Sequence, residues 1–291
     1  MSLAAPADTS PPHQAAFDHC AALLRAADRD RFLTTLFAPP ACRPSLHALY
    51  AFNVEITRVR EAIREPLAGE IRLQWWSDAI AGERAGEALA NPVAAALLAT
   101  IARHDLPIDL VNGLIAAHRF DLYNEPMGTL AEFDDYARAT SATLIVLSAR
   151  ILGDVSSLGE VAFHAGVAHA IAGLLEALPV DTARGRLYVP IEVLDRHGVT
   201  REDLAVGQAT PQLRAALGEM RRKARGHLAE AARLAADLPT ALLPAVLPIA
   251  LVRPVLDHME RHDPFAPGRL AQWRRQWRLW RAARRPARIF V

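Results

Sequence analysis

The segment "LHALYAFNVEITRVREAI", Leu46 to Ile63, indicates the fold class of this chain. Its apolar residues recur at spacings of three and four, which is the pattern of an amphipathic helix with one buried face. The same spacing continues through the rest of the sequence, while the alternating runs typical of strands are almost absent. Prolines and glycines divide this pattern into about ten helices. The sequence therefore predicts an all-α protein.

Length and composition are those of a folded domain. The 291 residues are 52% hydrophobic and 22% charged, as in ordinary globular proteins. We expect a flexible N-terminal tail over residues 1–12 and a single domain over residues 13–291. The segment from Leu238 to Leu256 is the most apolar, but four prolines and an arginine interrupt it. We therefore expect a buried helix pair there rather than a membrane-spanning helix.

Charge and cysteine content restrict the partners and the compartment. The formal net charge of +1 provides no strong field for nucleic acid, so no nucleic-acid partner is expected. The two cysteines, Cys20 and Cys42, form no CxxC pattern and indicate a reducing compartment. The N-terminus lacks the basic region followed by a long apolar run that marks a secretory signal. These observations predict a cytoplasmic protein.

Five segments, taken together, carry a resemblance to a known family. They are "LYAFNVEITRVREAI" (Leu49–Ile63), "LQWWSDAIAG" (Leu73–Gly82), "HRFDLYNEPMGTLAEFDDYA" (His118–Ala137), "SARILG" (Ser148–Gly153) and "AIAGLLEALPVDTARGRLYVP" (Ala170–Pro190). In order and spacing they resemble the squalene and phytoene synthase family, the head-to-head branch of the all-α prenyl transferases. The resemblance spans residues 30–285. It implies an isoprenoid-synthase-type helical bundle around a central cavity.

The resemblance also implies a chemistry, from which this sequence departs. In the family, aspartates one helical turn apart on two helices hold Mg²⁺, which neutralises the diphosphate leaving group. At the aligned positions, the first motif reads Thr57, Arg58 and Glu61, and the second reads Gly173, Ala177 and Asp181. The neighbouring Glu176 lies about 100° of helix rotation from the aligned position. Glu61 and Asp181 are thus the remaining metal candidates. We expect no cofactor, and Mg²⁺ only if the chain is a working synthase.

Arg58 reverses the electrostatics of the first motif. A guanidinium repels Mg²⁺ but binds a phosphate or a carboxylate directly. Arg43 aligns with a family arginine near the diphosphate, and the segment from Arg184 to Pro190 is expected to form a short extended flap. The residues expected to bind an isoprenoid or lipid ligand are Arg43, Tyr50, Glu55, Arg58, Glu61, Asp121, Asp181, Arg184, Arg186 and Tyr188.

Three functions remain open. The "AFNVE" sequence of Ala51–Glu55 and the missing aspartates look most like the branch similar to the mitochondrial assembly factor for respiratory complex I. This likeness implies a non-catalytic role in assembly, with a respiratory-complex subunit as partner. The first alternative is an active head-to-head transferase with a rearranged metal site. The second is a carrier that holds an isoprenoid or lipid in the inherited cavity.

The C-terminal segment, residues 268–291, is predicted to form a basic amphipathic helix. It carries eight arginines and no acid, and Leu270 shares one face with three tryptophans. Either this face packs on the protein body, or it contacts an anionic membrane surface or a membrane-bound partner. The residues expected to contact the membrane are Trp273, Trp277, Trp280, Arg274, Arg278 and Arg281. The second reading predicts a protein peripheral to the inner membrane.

Overall fold

The computed structural model describes residues 11–63, 65–123, 125–265 and 270–291, and within these ranges it contains helices and no strand. The all-α prediction is therefore confirmed. The α-helices are α1 (Pro11–Ala27), α2 (Arg29–Thr35), α3 (Arg43–Ala62), α4 (Pro66–Ala81), α5 (Ala85–Ala90), α6 (Pro92–His104), α7 (Ile108–Ala117), α8 (Leu130–Ala137), α9 (Thr143–Leu152), α10 (Gly159–Ala183), α11 (Ile191–Arg196), α12 (Arg201–Val206), α13 (Pro211–Leu234), α14 (Leu243–Val246), α15 (Val252–Arg261) and α16 (Gln272–Arg284).

Sixteen helices in the described ranges exceed the predicted number because several are short. Helices α5 and α14, for example, have six and four residues. Residues 1–10 of the expected N-terminal tail lie outside the described ranges, and α1 begins at Pro11.

The chain divides into two compact units. Of the described residues, the first unit comprises those between 11 and 123 together with Val146–Val155, and the second comprises those between 125 and 145 and those from Ser156 to Val291. Helix α9 contributes residues to both units.

In the first unit, α3 packs against α1 and α6. Its buried residues include Leu49, Phe52 and Ile56, which follow the spacing of three and four seen in the sequence. The ring of Phe52 meets the ring of Trp76 on α4 edge to face, with the centroids 5.1 Å apart. This packing leaves the polar residues of the first motif on the more exposed side of α3.

In the second unit, α10 packs along α13 and against the π-helical turn Arg138–Ala142. Gly166 of α10 approaches this turn so closely that a Cβ atom would lie 2.6 Å from the backbone nitrogen of Ala142. Because backbone atoms cannot move aside as a flexible side chain does, only glycine permits this packing distance.

The prolines break the apolar segment over residues 238–256 into short pieces, which include the 3₁₀ turn Leu247–Leu251 and the start of α15. Two helical stretches, Gly159–Ala183 and Thr240–Arg261, are long and apolar enough to cross a membrane, but 61% and 72% of their apolar windows are buried in the protein. The burial agrees with the expectation for the apolar segment, but the segment forms short helical pieces rather than the expected helix pair, because its prolines interrupt it.

Candidate functional site

A cavity of about 400 Å³ lies in the first unit, against α3 and α4. Its lining consists of Glu55, Arg58, Val59, Ala62, Arg72, Trp75, Trp76 and Asn91. On each helix these residues are spaced by three and four positions, so they share one helix face. The helical period of "EITRVREA" and "RLQWW" thus builds the two walls.

The cavity is electrostatically positive. Two guanidinium groups and one carboxylate line it, so the formal net charge of the lining is +1. Arg58 and Arg72 are exposed, while Glu55 is half-buried. A pair of guanidiniums at a partly exposed opening attracts anions, and phosphates and carboxylates offer the oxygen pairs that a guanidinium binds in bidentate fashion.

Aromatic side chains form a fixed wall of the cavity. The indole nitrogen of Trp75 donates a hydrogen bond of 2.8 Å to Glu87, and this bond contributes most to lowering the pKa of that exposed carboxyl. The ring of Trp75 meets Trp76 edge to face, with centroids 5.1 Å apart. Asn91 caps the first turn of α6, where its side-chain oxygen accepts hydrogen bonds from two backbone amides. The cavity therefore offers an apolar, aromatic surface next to its cationic groups.

Five predicted ligand residues lie in α3, and the structure separates them. Glu55 and Arg58 line the cavity. Glu61 is exposed in the last turn of the helix, outside this lining. Arg43 donates hydrogen bonds of 3.0 Å to the backbone carbonyls of residues 36 and 38, so it braces the turn before α3. Tyr50 is buried, and its hydroxyl is hydrogen-bonded to the side chain of residue 148. Burial raises the pKa of Tyr50.

Asp121, a further predicted ligand residue, is buried in the turn after α7. Its carboxylate lies 2.6 Å from Nδ1 of His118, which is also buried. This contact joins residues three positions apart and fixes the local turn, so Asp121 contributes to the structure of the first unit in addition to any ligand contact.

The remaining predicted ligand residues lie in the second unit, at the end of α10 and in the flap. The carboxylate of Asp181 forms an ion pair of 2.9 Å with Arg186, and the two side chains are only 14% and 11% exposed. The aromatic ring of Tyr188 contacts that of Tyr136, with centroids 6.3 Å apart. Arg184 is exposed. The Asp181–Arg186 pair therefore ties the flap to the end of α10.

Sequence reasoning missed three residues of the α4 wall, Arg72, Trp75 and Trp76, as candidates for ligand contact. Trp76 is buried, as expected for a core aromatic, yet it also borders the cavity. A usable signal was present, because these residues follow the spacing of three and four that places side chains on one helix face. What the spacing could not show is that this face meets the polar face of α3.

The C-terminal helix α16 is attached to α10 through an ion pair that the sequence did not reveal. Arg275 donates a hydrogen bond of 2.9 Å to Glu176, the acid next to the second motif. The three tryptophans predicted to contact a membrane, Trp273, Trp277 and Trp280, are exposed. Their exposed fractions are 65%, 51% and 40%, so Trp280 is the most covered of the three.

The described ranges contain no group of three or more His, Cys, Asp or Glu side chains with the proximity that a metal ion requires. The two acids expected at the motif positions are placed differently from each other. Glu61 lies exposed in the first unit, and Asp181 is ion-paired in the second.

Comparison with known proteins gives consistent results. The sequence profile of the squalene/phytoene synthase family matches residues 24–281. The relative described as NADH dehydrogenase (ubiquinone) complex I, assembly factor 6, of Rattus norvegicus is 29% identical over 247 residues. The match covers 84% of this chain and 74% of that protein. The 15-cis-phytoene synthase of Synechocystis sp. is 28% identical over 208 residues, covering 66% of this chain and 60% of that protein.

Among solved structures, squalene synthase HpnC from Alicyclobacillus acidocaldarius superposes with a TM-score of 0.72 and 25% identity, covering 88% of this chain and 97% of that chain. The resemblance seen in the five sequence segments and the expected helical bundle are both confirmed by these matches.

Proposed function

Because the chain belongs to the squalene/phytoene synthase family, we propose that it uses the family fold as a binding module in the assembly of a membrane respiratory complex similar to complex I. In this proposal the protein performs no prenyl transfer. The observation that carries the proposal is the placement of Arg58 and Arg72 in one cavity with a single carboxylate, Glu55. The assembly factor 6 relatives provide independent support, since their similarity extends over most of the chain.

The cavity does not fit the metal that head-to-head prenyl transfer requires. Loss of diphosphate needs Mg²⁺, an ion that prefers several oxygen ligands in a near-octahedral arrangement. By the resemblance of the sequence, Arg58 takes the place of a motif aspartate, and its guanidinium repels a divalent cation. In the second unit, the carboxylate of Asp181 is already ion-paired with Arg186. We therefore derive no ionisation step through Mg²⁺ for this chain.

The same groups are suited to bind an anionic ligand directly. Arg58 and Arg72 supply charge-assisted hydrogen bonds to a phosphate or carboxylate. The rings of Trp75 and Trp76 supply an apolar surface for a hydrocarbon chain. The proposed ligand class is thus an isoprenoid or lipid with an acidic head group. We place the protein in the cytoplasm at the inner membrane, where a respiratory-complex subunit is its proposed partner.

Deletion of the gene in the source organism tests the assembly role. We expect less of the assembled complex on native gels stained for NADH oxidation, and recovery when the wild-type chain is supplied. A Gly226→Ala chain serves as the control, because Gly226 on α13 is exposed and an added Cβ would meet nothing within 4 Å. Normal amounts of the assembled complex in the deletion strain would contradict the proposal.

The second candidate function is prenyl transfer at a remodelled site. The similarity to squalene synthase HpnC and to the Synechocystis phytoene synthase favours it. Incubation of the purified chain with farnesyl or geranylgeranyl diphosphate and Mg²⁺, followed by product analysis, separates the two functions. We expect neither squalene nor phytoene. A product that disappears with Glu61→Gln or Asp181→Asn would replace the proposal by an active transferase.

A further inference from the structure

The outward side of α16 is a surface that the cavity does not involve. Trp273, Trp277 and Trp280 on this side are 65%, 51% and 40% exposed, and we refer to these three residues as the tryptophan face. Large aromatic side chains exposed in a row are unusual on a protein surface, because each exposes apolar area to water. The tryptophan face is therefore a candidate for contact with another surface.

The tryptophan face is not required to attach α16 to the second unit. The opposite side of the helix does so, since Leu279 and Ala282 are buried and Arg275 is ion-paired with Glu176. At about 100° per residue, the centres of the two sides are roughly 160° apart around the helix axis. One side of α16 therefore holds the helix in place while the other remains available.

The rings of the tryptophan face are combined with cationic groups. Trp277 and Trp280 stack with their ring centroids 5.1 Å apart. The guanidinium of Arg284 lies over the ring of Trp280, 4.4 Å from its centroid, and that of Arg274 lies 5.2 Å from the centroid of Trp273. Rings with an apolar body next to guanidiniums are suited to the boundary between lipid head groups and acyl chains.

The charge of this region has a single sign. The described residues 270–291 contain seven arginines and no aspartate or glutamate. The arginines are close enough to repel one another, and Arg281 and Arg285 are among the neighbours that lower the pKa of Arg288. Such a field matches a surface that is anionic over its whole extent. A protein partner would instead need a row of acids placed opposite each arginine.

We propose that the tryptophan face docks α16 in the plane of an anionic lipid bilayer, with the rings of Trp273, Trp277 and Trp280 at head-group depth and the arginines on the lipid phosphates. This docking is independent of what the cavity binds. It brings the second unit to the membrane surface while α16 stays folded on the protein. The contact is reversible, because the arginine contribution falls off within a Debye length and is screened by salt.

Co-sedimentation of the full chain with vesicles tests the proposal. The vesicles consist of phosphatidylcholine alone or of equal parts phosphatidylcholine and phosphatidylglycerol, each at low and high salt. We expect binding to the anionic vesicles at low salt. The combined change Trp273→Ala, Trp277→Ala and Trp280→Ala should weaken it about tenfold or more. Replacing Arg274, Arg281 and Arg284 together by Gln should weaken it by a similar factor and reduce its salt dependence.

The control removes exposed apolar side chains elsewhere, through Leu67→Ala and Ile71→Ala on α4, and should bind as the unchanged chain does. Circular dichroism verifies that each variant is folded, which is expected because all the substituted side chains are exposed or lie on the outward side of α16. Equal binding by the tryptophan variant and the unchanged chain would overturn the proposal. Absence of binding to anionic vesicles, or equal binding to neutral ones, would overturn it as well and favour a protein partner for this face.

Discussion

Removal of the Glu176 carboxylate is expected to loosen α16 without unfolding the rest of the second unit. Arg275 and Glu176 are 2.9 Å apart and only 13% and 12% exposed. At an effective dielectric constant of about 20, opposite charges about 4 Å apart attract by about 4 kcal/mol, and desolvation offsets much of this energy. Breaking a fully buried pair costs about 3–5 kcal/mol. Because this pair retains some access to water, we expect Glu176→Gln to destabilise the docked helix by about 2 kcal/mol, or about thirtyfold in its opening equilibrium.

Hydrogen exchange followed by mass spectrometry measures this opening directly. Amides of α16 should exchange about thirtyfold faster in Glu176→Gln and in Arg275→Gln, whereas amides of α1 in the first unit should not change. The double variant should exchange no faster than the more affected single variant, since either change alone removes the interaction. The matched control is Arg278→Gln, which removes a charge from an exposed position of the same helix.

Two results would refute this reasoning. Unchanged exchange in α16 after Glu176→Gln would show that apolar packing alone holds the helix. Fully additive effects in the double variant would show that the two side chains act independently, despite their distance.

Three further expectations concern packing, pH and ligand binding. Gly166→Ala should lower the melting temperature by about 5 °C, because its Cβ would meet backbone atoms of the neighbouring turn. Gly173→Ala on the same helix, with open space, should leave the melting temperature unchanged or raise it slightly. Thermal denaturation followed by circular dichroism measures both, and equal melting temperatures would contradict the expectation. Burial lowers the pKa of His47 from 6.5 to about 4, and the charge of Arg43 adds to the effect. The unfolded chain therefore binds this proton more readily than the folded chain does. The free energy of unfolding should fall as the pH drops from about 6.5 to about 4. His47→Gln should reduce that loss by about 2 kcal/mol in urea unfolding at pH 4.5, and equal acid sensitivity in both chains would contradict it. Farnesyl diphosphate should bind the chain in the presence of a metal chelator. Arg58→Gln should weaken this binding about tenfold, as measured by calorimetry. Binding that requires Mg²⁺ would contradict a metal-free anion site.

The candidate site could be predicted only in part. Glu55 and Arg58 were found because helical spacing and the aligned motif placed them near an expected ligand, and both line the cavity. Arg43 also donates hydrogen bonds to carbonyls of the preceding turn, a contact that the aligned motif did not indicate. The α4 wall was missed because a helical period identifies a face of one helix without showing which helix it meets. Side chains from Arg72 and Trp75 enter the site only through that pairing.

The sequence by itself determined the all-α class, the family and the interruption of the apolar segment by prolines. Each of these depends on residues near one another in the chain: the spacing of three and four, the order of five segments, and the missing amide of proline. The tertiary structure decided which side of α16 is buried. The period of its tryptophans and arginines allowed either side to pack. Leu279 packs inward and Arg275 pairs with Glu176, which is 99 positions away in the chain. Such long-range contacts decide which face of the helix is buried. Local periodicity defines the faces of a helix, but the burial of each face depends on the surface against which it packs.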